Sequence, residues 1–200
     1  KDQNIGKPIY GRNQEGLFFL QPDEEGDLWE EDWPVLLIDW EAASQYAHWK
    51  AESSGLPWRL LSEWEREKAG RGVDRRSYPW GDYQEPTWYR NLKSQKERAK
   101  PCKVQEYPTD TSLYGVQGLA GNSRDWCLEI KNNLIPMSQQ NILLFPASQM
   151  SPNPENWRCF RGGMWSSLNN LTLSRRAFAP ENFSHSTIGF RLARSLLYRK

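Results

Sequence analysis

The sequence predicts an α+β domain in which two helices precede a long, turn-rich body with room for short strands alone. Three observations carry this. Apolar residues take up helical spacing at Trp40, a helix-start signature stands at Ser62, and beyond Gly72 no period of 3.6 or 2 is sustained.

Residues 1–33 mix Gly, Pro, Gln and acids around one apolar run, Leu17-Phe18-Phe19-Leu20, which reads as a short strand between Gly16 and Gln21-Pro22. The acids of Asp23-Glu24-Glu25-Gly26-Asp27 and Glu30-Glu31-Asp32 lack the spacing of a calcium-binding EF-hand loop and read as a solvated loop. After the apolar run Pro34-Val35-Leu36-Leu37-Ile38, Asp39 is placed as an N-cap. Trp40, Ala43, Ala47 and Lys50 follow three or four apart, and Gly55 stops the helix. Ser62-Glu63-Trp64-Glu65 is a capping box, in which serine and glutamate each satisfy a free backbone donor, so a second helix starts there and ends near Gly70 or Gly72. Tyr78-Pro79-Trp80-Gly81-Asp82, then Gly115, Gly118 and Gly121, then a Pro-, Asn- and Ser-rich stretch from Asn132 to Asn156 leave regular structure sparse.

A length of 200 residues suits one core, so the expectation is a single domain over residues 1–200. With 26 Lys and Arg against 25 Asp and Glu, no basic excess exists to bind phosphodiester backbones, and nucleic acid is excluded as a partner. The one basic run, residues 93–100, reads as a solvated loop. Eleven Trp against three Met, with a mean hydropathy of -0.84, point to a core of a few large aromatic residues. Three cysteines, Cys102, Cys127 and Cys159, cannot all pair within the chain and form no C-x-x-C unit, which favours a reducing, cytoplasmic setting. No apolar run has membrane-spanning length and no signal peptide opens the chain, while Lys1 in place of Met reads as a piece of a longer polypeptide.

Two anchors frame the C-terminal part: Arg161-Gly162-Gly163-Met164-Trp165 and Ile188-Gly189-Phe190-Arg191. Gly162 and Gly163, without a Cβ, let the backbone take positive φ or pass close to another segment. The interval between the anchors has no sustained period and reads as an ordered loop surface.

Six segments in order carry a family resemblance: Pro34-Val35 with Asp39-Trp40-Glu41-Ala42-Ala43; Leu56-Pro57-Trp58-Arg59-Leu60-Leu61-Ser62-Glu63-Trp64-Glu65-Arg66-Glu67-Lys68-Ala69; Tyr78-Pro79-Trp80-Gly81-Asp82; Tyr114-Gly115-Val116-Gln117-Gly118-Leu119-Ala120-Gly121-Asn122-Ser123-Arg124-Asp125-Trp126-Cys127; and the two anchors. Together, over roughly residues 34–194, they resemble the formylglycine-generating-enzyme/sulfatase-modifying-factor domain, a variant of the C-type-lectin-like fold. The resemblance implies that fold. Oxidase members carry two copper-binding cysteines shortly after the Gly-Gly pair. Here the corresponding places fall near Ser167 and Thr172, and hydroxyls cannot replace thiolates as ligands of a soft ion. Sulfoxide synthases similar in this domain use an iron site built from histidines in an additional domain, whereas this chain has only His48 and His185, and His48 falls within the first helix. Some relatives bind calcium through positions that match Asn122 and Asp125, so calcium is an expected cofactor candidate. A second calcium loop would begin near Asn91-Leu92 but lacks acids.

With catalysis set aside, what remains is a ligand-binding module that presents a C-terminal loop surface to a protein or other macromolecule. The expected contact residues are Trp165, Ser166, Ser167, Asn169, Asn170, Thr172, Arg175, Arg176, Phe178, Asn182, Phe183 and His185. Rigid aromatics supply area there and short polar groups adapt, as in a paratope. The interval resembles that of bacterial diversity-generating-retroelement variable proteins. The alternatives are a sensor or scaffold domain attached to a bacterial serine/threonine kinase, which the segments around Asp23–Pro34 and Gly121–Cys127 resemble, and an oxidase or metal-dependent enzyme of the same family.

Overall fold

The computed structural model describes residues 9–96, 98–130, 137–139, 142–144, 157–168 and 172–196. The chain divides into two units, Lys1–Trp33 and Pro34–Lys200.

In the first unit, β1 (Tyr10–Arg12) pairs antiparallel with β2 (Phe18–Leu20), Tyr10 opposite Leu20 and Arg12 opposite Phe18. The strand expected at 17–20 is β2. Asn13 closes the turn, its Oδ1 accepting the backbone N–H of Glu15 at 3.1 Å and of Leu17 at 2.8 Å. Asp23 repeats the device, accepting from Glu25 and Asp27, while its second oxygen accepts the Trp29 indole N–H at 3.2 Å. The acidic stretch is thus a side-chain-closed turn; both oxygens of Asp23 already have donors.

The second unit begins with the apolar run at Pro34 and then α1 (Trp40–Ser54). Asp39 caps it as expected, its Oδ1 accepting the Ala42 N–H at 2.8 Å, and Gly55 ends it in the left-handed region at φ 65°. Trp40, Ala43 and Ala47 are its buried face; two alanines there let the helix lie close on the sheet. After β3 (Trp58–Leu60), α2 (Glu63–Arg71) starts with both bonds of the capping box, Glu65 N–H to Ser62 Oγ at 3.0 Å and Ser62 N–H to Glu65 Oε2 at 2.8 Å. Gly72 is its C-cap. Because Ser62 is fully buried, Ser62→Ala strands a donor with no water to replace the cap. We expect it to cost about 1–2 kcal/mol in urea unfolding; a loss below a few tenths would mean the cap is dispensable.

Within the Asn-rich stretch 132–156, the described residues form β5 (Met137–Gln139) and β6 (Ile142–Leu144), an antiparallel pair. The central sheet has four strands in the order β8 (Arg176–Pro180), β7 (Trp157–Arg161), β4 (Arg124–Ile130), β9 (Ile188–Phe190). β4 and β9 run parallel; the other neighbours are antiparallel. β10 (Leu192–Arg194) pairs with β3. The register sets Asp125 opposite Gly189 on one side and Arg161 on the other, and Arg161 in turn opposite Arg176. Four strands thereby contribute one residue each to a single row of the sheet.

α1 and the sheet enclose the core of Trp40, Ala43, Ala47, Leu60, Trp126, Leu128, Phe160, Ala179 and Ile188. Trp126 meets Phe160 edge-on, with ring centroids 5.4 Å apart. Each buried indole N–H finds a carbonyl: Trp126 donates to Ile38 at 3.0 Å and Trp40 to Cys127 at 2.8 Å. The aromatic-core expectation needs correction, since among the described residues Trp40 and Trp126 are the fully buried tryptophans, while Trp49, Trp64, Trp88 and Trp157 are exposed. Charged side chains are buried as well: Glu63, Arg66, Asp125, Arg158 and Arg161 are all fully buried. Arg158 shows how this is tolerated. Its guanidinium lies 3.7 Å from the centroid of the Trp40 ring and pairs with Glu181 at 3.1 Å.

Candidate ligand-binding site

The two glycines of the first anchor use different freedoms. Gly162 takes φ 109°, a conformation that L side chains rarely adopt, and any Cβ on it would run into the Arg66 guanidinium. Gly163 is constrained by space alone, because a Cβ there would overlap the Ala120 carbonyl oxygen and come within 2.9 Å of its carbon. That approach brings the loop 163–168 against segment 119–122, where Trp165 N–H donates to the Asn122 carbonyl at 2.9 Å. Segment 119–121 is itself gathered by Asp110, whose carboxylate accepts the N–H groups of Leu119, Ala120 and Gly121. Burial pushes the Asp110 carboxyl up to about 6, against the pull of those bonds and of the Arg191 charge.

Beneath the loop lies an ionic frame. Asp125 Oδ2 accepts from Arg66 Nε at 2.7 Å and Arg191 Nε at 2.9 Å, and both guanidiniums also donate to backbone carbonyls, of Leu119 and of Gln117 and Gly118. Glu63, at the start of α2, faces Arg161 at 3.1 Å and Arg176, and Arg161 reaches Glu67 at 2.5 Å. Two motif arginines, Arg161 and Arg191, therefore hold the sheet to α2 and to the loops.

The calcium expectation at Asn122 and Asp125 is corrected by these contacts. The Asn122 side chain closes a two-bond pair with the Cys102 backbone, Oδ1 accepting at 3.1 Å and Nδ2 donating at 2.9 Å, and Asp125 is held between two guanidiniums. A cation there would have to displace two positive groups, so this donor set does not fit one. Nor does the copper chemistry of the oxidase relatives fit. Ser167 and Thr172 offer hydroxyls, and Thr172 Oγ1 shares a hydrogen bond with Ser174 Oγ at 3.0 Å. The three thiols lie elsewhere and are buried, and burial, with the nearby Glu106 charge, pushes Cys102 up to about 12. His48 is an exposed helix residue 3.2 Å from Glu52.

Of the expected contact residues, Ser166, Ser167, Arg175 and Arg176 converge on one cavity of about 200 Å³ beside the Gly-Gly turn. Ser167 is nearly closed off, whereas Arg175 is exposed. Trp165 is half-buried, its indole N–H on the Ser186 carbonyl at 2.9 Å, so it braces the loop. Phe183 and His185 stack with ring centroids 5.9 Å apart, and both they and Asn182 are exposed. Phe178 lies in β8 under Arg176, away from the cavity. Asn169 and Asn170 lie outside the described residues. The sequence reading missed Arg124, Phe160, Arg161, Met164, Leu168 and Ala177, which also line the cavity. For Arg124 a signal existed in the segment Gly121–Cys127, but the strand register that turns it toward Thr187 is not readable from one sequence.

His185 joins the site to Arg124 through Thr187. The Thr187 N–H donates to His185 Nδ1 at 3.2 Å, so Nδ1 is an acceptor; Thr187 Oγ1, 2.8 Å away, donates to it and accepts from Arg124 Nη2 at 2.8 Å. Burial and the Arg124 charge hold the His185 pKa below its usual value. The unfolded state then takes up the proton more readily, so the stabilisation is full above about pH 6.5 and is lost as pH falls through the lower folded value. For an exposed ring the effect stays below about 1 kcal/mol. His185→Gln should lose less stability than the parent between pH 7.5 and 5.5, and the Asp110 contribution, common to both, cancels. Parallel losses in thermal melts would remove His185 from the linkage.

The profile of the sulfatase-modifying factor enzyme 1-like domain matches residues 14–196. The chain belongs to this family. The match begins at residue 14, earlier than the motifs from Pro34 onward indicate. Its C-type-lectin-like α+β architecture is shared with solved structures. Across the family fold, PvdO from Pseudomonas aeruginosa aligns with a TM-score of 0.65 at 19% identity, covering 97% of this chain and 73% of that one. CarF aligns at 0.63 and 18% identity over 85% and 72% of the two chains. Treponema denticola variable protein 1 aligns at 0.61 and 18% identity over 80% and 70%. At these identities the likeness is one of fold. No curated protein sequence matches the chain significantly. Among the described residues, no helix of this family member is long and apolar enough to cross a membrane.

Proposed function

We propose that this family member is a non-catalytic ligand-binding module whose contact surface is the loop-built face between the Gly-Gly turn and β9, of the kind carried by diversity-generating-retroelement variable proteins, with a protein or other macromolecule as ligand. The observation that carries the reading is the pairing of a braced loop with hydroxyls where the oxidase relatives hold reactive thiols. Ser167 is buried and its backbone is tied at both ends, N–H to Met164 and carbonyl to Leu92. Arg175, Asn182, Phe183 and His185 remain exposed in the loops that flank β8. Sites on loops held by a scaffold can change residues with little cost to the core. One structural relative bears the name of a variable protein, which agrees with this use of the fold.

The test is deep sequencing of the coding region for residues 160–195 from a clonal culture, with a search for a nearby near-identical template copy. Substitutions confined to template adenines support the diversified module. An invariant region without a template copy overturns it and leaves a fixed sensor or scaffold domain.

A further inference from the structure

We propose that the cavity beside the Gly-Gly turn is an oxyanion site that takes a carboxylate or phosphoryl group of the ligand, with Arg124 and Arg175 as its charged walls. It rests on the ligand-binding reading and names the chemistry that reading lacks.

Four arginines, Arg124, Arg161, Arg175 and Arg176, line this cavity together with Ser166 and Ser167. Two carboxylates, Glu63 and Glu67, serve the group, and they are already shared among Arg161, Arg176 and Arg71. Neither Arg124 nor Arg175 has a carboxylate partner among the described residues. Arg124 donates instead to two neutral acceptors, Met164 Sδ at 2.6 Å and Thr187 Oγ1 at 2.8 Å, and lies 5.0 Å from the Phe160 ring centroid. An aromatic face and a hydroxyl hold a guanidinium in place without neutralising it.

The unsatisfied donors point the same way. Buried side-chain nitrogens without a hydrogen-bond partner include Arg124 Nε, Arg161 Nε and Arg176 Nε, and all three residues line this one cavity. Closed off from solvent, these three N–H groups are not themselves ligand contacts, but they leave the positive charge beside the cavity under-compensated, which favours an anion as its occupant. Arginine forks match carboxylate and phosphoryl oxygens two at a time. The half-buried Ser166 side chain adds a hydroxyl donor to the lining. Met164, Phe160, Leu168 and Ala177 supply apolar wall, which lowers the local dielectric and strengthens the attraction.

Isothermal titration calorimetry of the folded chain with inorganic phosphate and with succinate, at constant ionic strength in chloride, tests this. Saturable binding of one or both is expected. The apparent Kd should rise about ten-fold in Arg124→Gln and in Arg175→Gln, the size of one lost charge-assisted bond. Arg175 is exposed, so its variant reads the site even if Arg124→Gln does not fold. Tighter succinate binding identifies acidic residues of a protein ligand as the source, and tighter phosphate binding identifies a phosphoryl group; either upholds the site. No saturable heat with either anion, or unchanged binding in both variants, overturns it. The outcome is separable from that of the sequencing: an invariant locus with saturable anion binding removes the diversified module and keeps the site, and a diversified locus without it does the reverse.

Discussion

Glu63→Gln should destabilise the fold by about 3–5 kcal/mol, because the substitution removes the charge that neutralises two guanidiniums in the interior. Glu63 and the Arg161 side chain are fully buried, and Arg161 would be left with Glu67, which Arg71 already shares. Glutamine keeps the volume and one acceptor but brings an amide N–H₂ toward Arg161 or Arg176, so a donor meets a donor. Equilibrium urea unfolding gives the measurement. A double variant with Arg161→Met tests the origin of the loss: if the uncompensated cation is the cause, the pair recovers part of the stability that Glu63→Gln alone loses. A single-variant loss below about 1 kcal/mol would mean that Glu67 alone suffices and that the Glu63 contacts are incidental.

Gly163→Ala should be at least as severe, about 4 kcal/mol or loss of folding altogether, for a different physical reason. No strained dihedral is involved. The methyl would occupy space already filled by the Ala120 carbonyl, and backbone cannot swing aside as a flexible side chain can. The loop 163–168 would have to lift from segment 119–122, breaking the Trp165 N–H bond to Asn122 and opening the cavity wall at Met164, Ser166 and Ser167. Gly115→Ala serves as the comparison. Gly115 has φ 77° and open space around its Cβ position, so it carries dihedral strain without collision and should cost about 1–2 kcal/mol. Similar losses for the two variants in thermal melts would refute the close-approach account of the Gly-Gly turn.

Local signals were legible because their physics is local. Asp39 and Gly55, Ser62 and Glu65 act on backbone groups within three or four residues, so helix bounds followed from spacing, and the order of six motifs was enough for the fold family. The two glycines announced a turn or a close approach, but which freedom each one uses depends on Arg66 and Ala120, far away in the chain. Asp125 illustrates the limit. As a residue type beside Asn122 it fits a cation site, and only the arrival of Arg66 from α2 and Arg191 from beyond β9 makes it the centre of an ionic clamp. Arg175 and Arg176 are adjacent in sequence and equivalent by composition. Strand register sends one to buried Glu63 and leaves the other exposed at the cavity. By itself, then, the sequence determined the helices, the family and the missing thiol pair, all of which depend on residue identity at short range. Tertiary structure alone decided which charges are paired, because burial and long-range pairing, where most of the cost of a charge lies, are properties of the assembled fold.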